Sequence, residues 1–117
     1  TQLVYTTGNG VDVFTYDPTI GEFLLSDEKI QIPNRGKYYS VNEGNYTKWD
    51  DNLKKYINYL KTPSADKRRP YSLRYVGTSI ADLHRTIMYG GIFMYPADKS
   101  SPKGKLRLMY ECNPLAM

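Results

Sequence analysis

The residues best equipped for chemistry lie in the last third of the chain. Lys105 enters and Glu111 leaves the run Gly104-Lys105-Leu106-Arg107-Leu108-Met109-Tyr110-Glu111-Cys112-Asn113-Pro114, which follows Gly90-Gly91-Ile92-Phe93-Met94-Tyr95-Pro96 across a polar loop. An ammonium group holds a phosphate, and a carboxylate holds a hard divalent cation. The pair points to a phosphate ester handled with a metal ion. Both runs read as short apolar strands facing each other. A strand rises about 3.3 Å per residue, which sets Lys105 and Glu111 roughly 20 Å apart. They would grip opposite ends of an elongated ligand, not each other. The plainer alternative is two solvated charges at strand ends.

Two further groups stand out, one where a strand gives way to a loop and one just before the second helix. In Asn42-Glu43-Gly44-Asn45 an asparagine can orient sugar hydroxyls or phosphate oxygens, or simply form an Asx turn. In Arg74-Tyr75 a planar guanidinium suits phosphate and a phenol adds a hydroxyl, although a surface or interface pair fits equally. Ser79, Asp82 and His84 do not make a hydrolytic triad, because helical neighbours at those spacings diverge. Asp82 and Arg85 read instead as a local ion pair. Cys112 has no base beside it in sequence and reads as a buried, inert thiol. Gly104-Lys105 lacks the upstream glycine of a P-loop.

Composition limits the classes. The chain has 117 residues, 40% apolar and 24% charged, which describes one ordinary folded domain or part of one. No apolar run approaches the roughly 20 residues that span a bilayer, and Thr1 to Thr7 do not resemble a secretory signal. A single cysteine excludes an internal disulfide. With no initiator methionine and a first segment that already reads as a strand, the chain is expected to be a fragment. A net charge of +4 and twelve tyrosines raise nucleic acid as a partner. The basic residues are dispersed, however, and Lys67-Arg68-Arg69 reads as a solvated loop.

The elements that must position these residues follow from patterning. Thr6-Thr7-Gly8-Asn9-Gly10 and Asp17-Pro18-Thr19-Ile20-Gly21 are turns, one before each of the strands at residues 11–16 and 22–25, with another strand at 30–32, giving an antiparallel meander. A strand at 36–41 opens into Asn42. Asp50 caps a helix whose Leu53, Tyr56, Ile57 and Leu60 share one face, and Pro63 ends it. A second helix begins near Thr78-Ser79 with Asp82 as a capping-box-like partner. It buries Ile80, Leu83, Ile87 and Met88, and stops at Gly90-Gly91. Strands at 92–95 and 106–110 complete an α/β pattern, a mixed sheet covered by helices.

Taken in order, Asn42-Glu43-Gly44-Asn45-Tyr46, Arg74-Tyr75-Val76-Gly77, Ala81-Asp82-Leu83-His84-Arg85, Tyr89-Gly90-Gly91-Ile92-Phe93-Met94-Tyr95-Pro96 and the run from Gly104 to Pro114 closely resemble class I fructose-1,6-bisphosphatase. Gly10-Val11-Asp12-Val13-Phe14 and Asp17-Pro18-Thr19-Ile20-Gly21-Glu22-Phe23 match as well, so the resemblance covers nearly the whole chain. It implies an α/β, layered α-β-α domain with a mixed sheet of the sugar-phosphatase type. Residues 1–117 would be the carboxy-terminal sugar-binding part, without the amino-terminal AMP and metal region. The implied reaction is hydrolysis of the 1-phosphate of fructose 1,6-bisphosphate, assisted by Mg2+, in a cytoplasmic (or plastid) homotetramer, with no nucleic acid or membrane partner.

By the same resemblance, Asn42, Tyr75, Tyr95 and Lys105 bind the sugar and its 6-phosphate. Phe93 and Met94 lie beside the substrate through their backbone, Arg74 reaches a neighbouring subunit's site, and Glu111 binds metal. Two departures stand out. Asn45 occupies the position where some members carry tyrosine. The family's upstream glutamate and its Asp-Pro-Leu-Asp-Gly-Ser-type metal segment have no counterpart in this chain, so the isolated chain is expected to be inactive. A non-catalytic sugar-phosphate-binding module and a basic nucleic-acid-binding module are the competing readings.

Overall fold

In the computed structural model, which describes residues 1–115, two three-stranded sheets are joined through a helical layer. The first is an antiparallel meander of β1 (Gln2–Thr6), β2 (Val11–Asp17) and β3 (Glu22–Ile30) in the order β1-β2-β3. The expected turns form it. Gly8 and Gly10 adopt φ of 92° and 82°, and the Thr6 hydroxyl donates to the Gly10 carbonyl oxygen while accepting the Gly8 N–H. At the second turn the Thr19 N–H and hydroxyl both donate to Asp17 Oδ1. The separate strand expected at 30–32 does not form, and the strand expected at 22–25 runs on unbroken to Ile30 as β3. Its polar middle is tolerated because β3 is an edge strand, and its pairing with β2 shifts register on either side of Val13.

The second sheet is parallel, with β4 (Tyr38–Ser40) between β5 (Ser72–Leu73) and β6 (Ile92–Phe93). Helix α1 (Asp51–Lys61) links β4 to β5, and α2 (Ser79–Tyr89) links β5 to β6. Asp50 caps α1 as expected, its Oδ1 accepting the Leu53 N–H at 2.7 Å. Alternation along β4 splits the layers. Tyr39 and Val41 pack with Trp49, Ile57 and Leu60 on the α1 side, and Ser40 turns towards Asp82 of α2. The architecture is therefore α/β with a helix on each face, and the antiparallel and parallel strands occupy separate sheets. Strand β5 falls in a stretch, residues 71–77, to which the sequence assigns no element. Two residues are too few for a periodic signal.

Helix α2 differs in its buried face. Asp82 and Thr86 are buried, while Leu83, Ile87 and Met88 are half-buried and Ile80 is 69% exposed. The polar pair faces the parallel sheet. Leu83 and Ile87 instead line a space of about 310 Å³ against Val11, Ile30 and Ile32 of the first sheet and its exit. The strand expected at 106–110 is absent. Leu108–Cys112 form a single π-helical turn, closed by the Glu111 and Cys112 N–H groups on the Arg107 carbonyl. No strand borders this segment among the described residues, so its alternation has no ladder to join, and β6 pairs with β4 instead.

One close approach fixes the second sheet. Gly90 and Gly91 adopt φ of 72° and 118° and cross the backbone at Gly36 and Tyr38. A Cβ on Gly91 would collide with the Tyr38 carbonyl oxygen, and one on Gly36 with the Gly91 nitrogen. Gly91→Ala is therefore expected to remove about 3 kcal/mol of stability through strain and collision together. A fall in the urea midpoint at unchanged slope measures it, and an unmoved midpoint would show that the crossing relaxes freely.

Candidate functional site

The carboxyl ends of the three parallel strands gather most of the expected site residues. The ladder is carried by the Ser72 N–H on Lys37 O, the Arg74 N–H on Tyr39 O and the Met94 N–H on Ser40 O, at 2.9, 3.0 and 2.8 Å. With Ser40 paired to Phe93 and Tyr39 to Leu73, the chain leaves β4 at Asn42, β5 at Arg74-Tyr75 and β6 at Met94-Tyr95, side by side. Carboxyl ends of parallel strands are where open α/β sheets bind ligands. A concavity of about 250 Å³ bordered by Arg35, Tyr38, Tyr56, Tyr71 and Gly91 lies at the opposite strand ends. None of the expected site residues lines it, so it is not the site described here.

Asn42 caps a 3-10 helix (Glu43–Lys48), its Oδ1 accepting the Gly44 N–H at 3.0 Å. The Asx turn is thus present. Glu43 is taken up structurally. It accepts the Tyr39 hydroxyl at 2.6 Å and the Lys61 ammonium at 3.3 Å. Burial first, then the Glu43 hydrogen bond and charge, push the Tyr39 hydroxyl well above its ordinary pKa. Tyr46 packs on Trp49, and its hydroxyl accepts Asn58 Nδ2, so it serves the core cluster.

Arg74 and Tyr75 are set by a buried carboxylate. Asp82, fully buried, accepts the Val76 N–H at 2.9 Å on Oδ1, the Gly77 N–H at 3.2 Å on Oδ2, and the Arg85 guanidinium at 2.8 Å. The expected Asp82–Arg85 ion pair exists, but Asp82 does not act as a box partner of Ser79. Arg85 also donates to the Arg74 carbonyl at 2.9 Å. Burial raises the Asp82 pKa, yet the Val76 N–H, the Arg85 guanidinium, the Gly77 N–H and the nearby Ser40 hydroxyl outweigh it, and the net shift is downward. Ser40 Oγ is itself buried without a well-formed hydrogen bond. Burial first, then the charges of Tyr95 and Asp82, push the Tyr75 hydroxyl above its ordinary pKa. The Arg74 side chain is exposed, donating to Leu73 O and lying over the Tyr38 ring.

Lys105 and Glu111 lie outside the three parallel strands, in the chain that follows β6. Lys105 is exposed in the loop organised by Asp98. That carboxylate accepts the Ser100 hydroxyl and the Ser100 and Ser101 N–H groups. The Ser100 hydroxyl first and Lys105 last hold Asp98 below its ordinary pKa, against a smaller upward push from burial. The loop is tied to the 3-10 helix by the Lys99 N–H on Lys48 O. Glu111 Oε2 accepts the Arg107 N–H at 2.7 Å. The turn at 108–112 replaces the extended run, so the 20 Å span with Lys105 and Glu111 on one strand face does not exist. Cys112 is half-buried, more accessible than expected. Among the described residues no three His, Cys, Asp or Glu side chains assemble a metal site, and no helix is long and apolar enough to cross a membrane.

Asp82 and Arg85 are the residues the sequence reading undervalued. Their spacing announced an ion pair, but not that it would reach back to the strand end. A fold and site of this kind define a sugar-phosphatase-like α/β domain. The model of the fructose-1-6-bisphosphatase C-terminal domain matches residues 32–117, and the chain belongs to that family. It is similar to class 1 fructose-1,6-bisphosphatases of Chloroherpeton thalassium, at 63% identity over 97% of this chain and 33% of the relative, and Chlorobium chlorochromatii, at 60% identity over 97% and 34%. The crystal structure of Leishmania major fructose-1,6-bisphosphatase in apo form superposes with a TM-score of 0.93 at 53% identity, over 99% of this chain and 36% of that one. The chain thus spans about a third of the length of the relatives it matches.

The lowered Asp82 pKa fixes a sign. Its contribution to stability is full above the unfolded carboxyl's value and is lost as pH falls through the lower folded value. Asp82→Asn should therefore cost about 3 kcal/mol of unfolding free energy at pH 7. The deficit should shrink on acidification below about pH 4, as wild type loses the same contribution. Denaturant titrations of both proteins at the two pH values measure this. A pH-independent deficit would contradict an ionised Asp82.

Proposed function

We propose that residues 1–117 are the carboxy-terminal, sugar-binding part of a fructose-1,6-bisphosphatase. The complete enzyme hydrolyses the 1-phosphate of D-fructose 1,6-bisphosphate to fructose 6-phosphate and inorganic phosphate, a gluconeogenic reaction of the cytoplasm. The observation that carries this reading is the convergence of Asn42, Arg74-Tyr75 and Phe93-Met94-Tyr95 on adjacent strand ends in a chain of this family. Asn42, Tyr75, Tyr95 and Lys105 hold the sugar and its 6-phosphate. Phe93 and Met94 contribute backbone along the substrate. The exposed Arg74 suits a contact with a neighbouring subunit's substrate in a homotetramer. The apolar row Leu3, Tyr5, Tyr16, Phe23 and Leu25, each more than a third exposed, offers the remainder of the enzyme a surface to pack on.

Mg2+ would polarise the phosphoryl group and activate water in such a reaction. Glu111 has the right donor chemistry for one ligand, but a single carboxylate already accepting a backbone N–H does not hold the ion by itself. Among the described residues no set of ligands for the ion assembles. The nucleic-acid reading loses support locally. Arg68 pairs with Asp66, and Arg69 stacks over the Tyr59 ring at 3.9 Å and donates to its carbonyl.

The test is phosphate release from fructose 1,6-bisphosphate with Mg2+. The full-length protein should turn over and the 117-residue chain should not; turnover by the chain alone would refute the division of labour. In the full-length protein, Lys105→Ala should raise KM by about tenfold or more with a smaller change in kcat, the pattern of a lost binding contact. Glu111→Gln should raise the Mg2+ concentration for half-maximal rate by about tenfold or more. Unchanged kinetics in both variants would remove these two assignments.

A further inference from the structure

We infer that Asp82 and Arg85 form a positioning device for substrate binding, holding Tyr75 by gripping the backbone on both of its sides. Arg85 fixes the carbonyl of Arg74 on one side, and Asp82 fixes the N–H groups of Val76 and Gly77 on the other. The two side chains are locked to each other at 2.8 Å, so the two grips act as one. Neither residue lies on the exposed strand-end surface. Asp82 is fully buried, and the Arg85 side chain is 18% exposed. They act through Tyr75.

The need for such a device follows from the local chain. Strand β5 has two residues and ends at Leu73, so ladder hydrogen bonds stop one residue before Tyr75, at the Arg74 N–H. Gly77, at φ 98°, has no side chain to anchor the turn into α2, and Thr78 makes no side-chain cap. Left to backbone contacts alone, residues 75–78 would be the loosest part of the strand-end surface. Asp82 supplies the acceptors that these amides lack, from the first turns of the next helix. Because it is buried, its hydrogen bonds are not in competition with water. Arg85 answers the buried charge and spends its second contact on the loop.

This inference rests on the assignment of Tyr75 as a contact to the sugar phosphate, and the experiment separates the two. Steady-state kinetics with fructose 1,6-bisphosphate are measured for the full-length protein, Tyr75→Phe, Asp82→Asn and the double variant. A positioning role predicts that Asp82→Asn raises KM by about tenfold with kcat changed less than about threefold, and that the increase largely vanishes in the Tyr75→Phe background, as coupled residues require. A purely structural role would lower thermal stability but leave KM alone, or raise KM equally in both backgrounds; either result overturns the inference while leaving the assignment of Tyr75 intact. If Tyr75→Phe itself leaves KM unchanged, the assignment fails and the inference with it. Should Asp82→Asn not fold, Arg85→Lys takes its place. It keeps the charge but cannot bridge Asp82 and the Arg74 carbonyl together, and the same cycle with Tyr75→Phe applies.

Discussion

Three strands of two or three residues must present a ligand-binding surface, and so few ladder hydrogen bonds cannot hold it alone. The constraint on which the rest depends is the backbone crossing of Gly36 with Gly90-Gly91 against Tyr38. It lets the chain leaving α2 pass directly over the entry to β4, so that β6 starts in register beside it. No side chain fits there, and the positive φ angles of Gly90 and Gly91 suit glycine alone. From this crossing the sheet extends only far enough to place Asn42, Arg74 and Met94 at one edge. Trp49, Ile57 and Leu60 then press Tyr39 and Val41 from the α1 side.

The two faces of β4 use opposite physics. On the α1 side the sheet is held by apolar packing, with Ile57 completely buried and Val41 nearly so. On the α2 side it meets a buried carboxylate and two buried hydroxyl-bearing residues, Ser40 and Thr86. A buried charge contributes little net stability compared with an apolar residue of the same shape. What it adds is direction, because each acceptor lone pair selects one donor at one angle. The rigid side therefore sets where the sheet lies, and the polar side sets how the chain leaves it.

Local signals in the sequence reached the elements that depend on neighbours in the chain. Asp50 and the spacing of Ile57 and Leu60 located α1, Gly90-Gly91 ended α2, and Gly8-Asn9-Gly10 turned the first hairpin. The misses are the elements that depend on distant partners. Alternation at 106–110 looked like a strand because period-two patterning does not report whether a ladder partner exists. The apolar stripe of α2 was read as facing one core, when its Leu83 and Ile87 face the first sheet and Asp82 and Thr86 the second. For the candidate site the sequence named Asn42, Arg74, Tyr75, Phe93, Met94 and Tyr95, and their common edge comes from the parallel register. It did not reveal that Asp82 reaches back over five and six residues to Gly77 and Val76.

Carboxylates organise the loops of this chain by one recurring device, and burial decides what each contributes. Asp17, Asp66 and Asp98 each accept a hydroxyl and at least one N–H from residues two or three positions away, Asp66 taking its hydroxyl from Ser64 before it, and each has its pKa lowered by a side-chain hydroxyl first. These are Asx-type turns closed within a few residues, and near water the exchange of partners is inexpensive. Asp82 differs in that its backbone donors lie five and six residues back, across the start of the helix, and its surroundings exclude solvent. Leaving those amides unmatched in the interior would cost far more than at the surface. The same chemistry that merely shapes the turn at Asp98, beside Lys105, becomes at Asp82 a fixed link between the helix and the strand end that bears Tyr75.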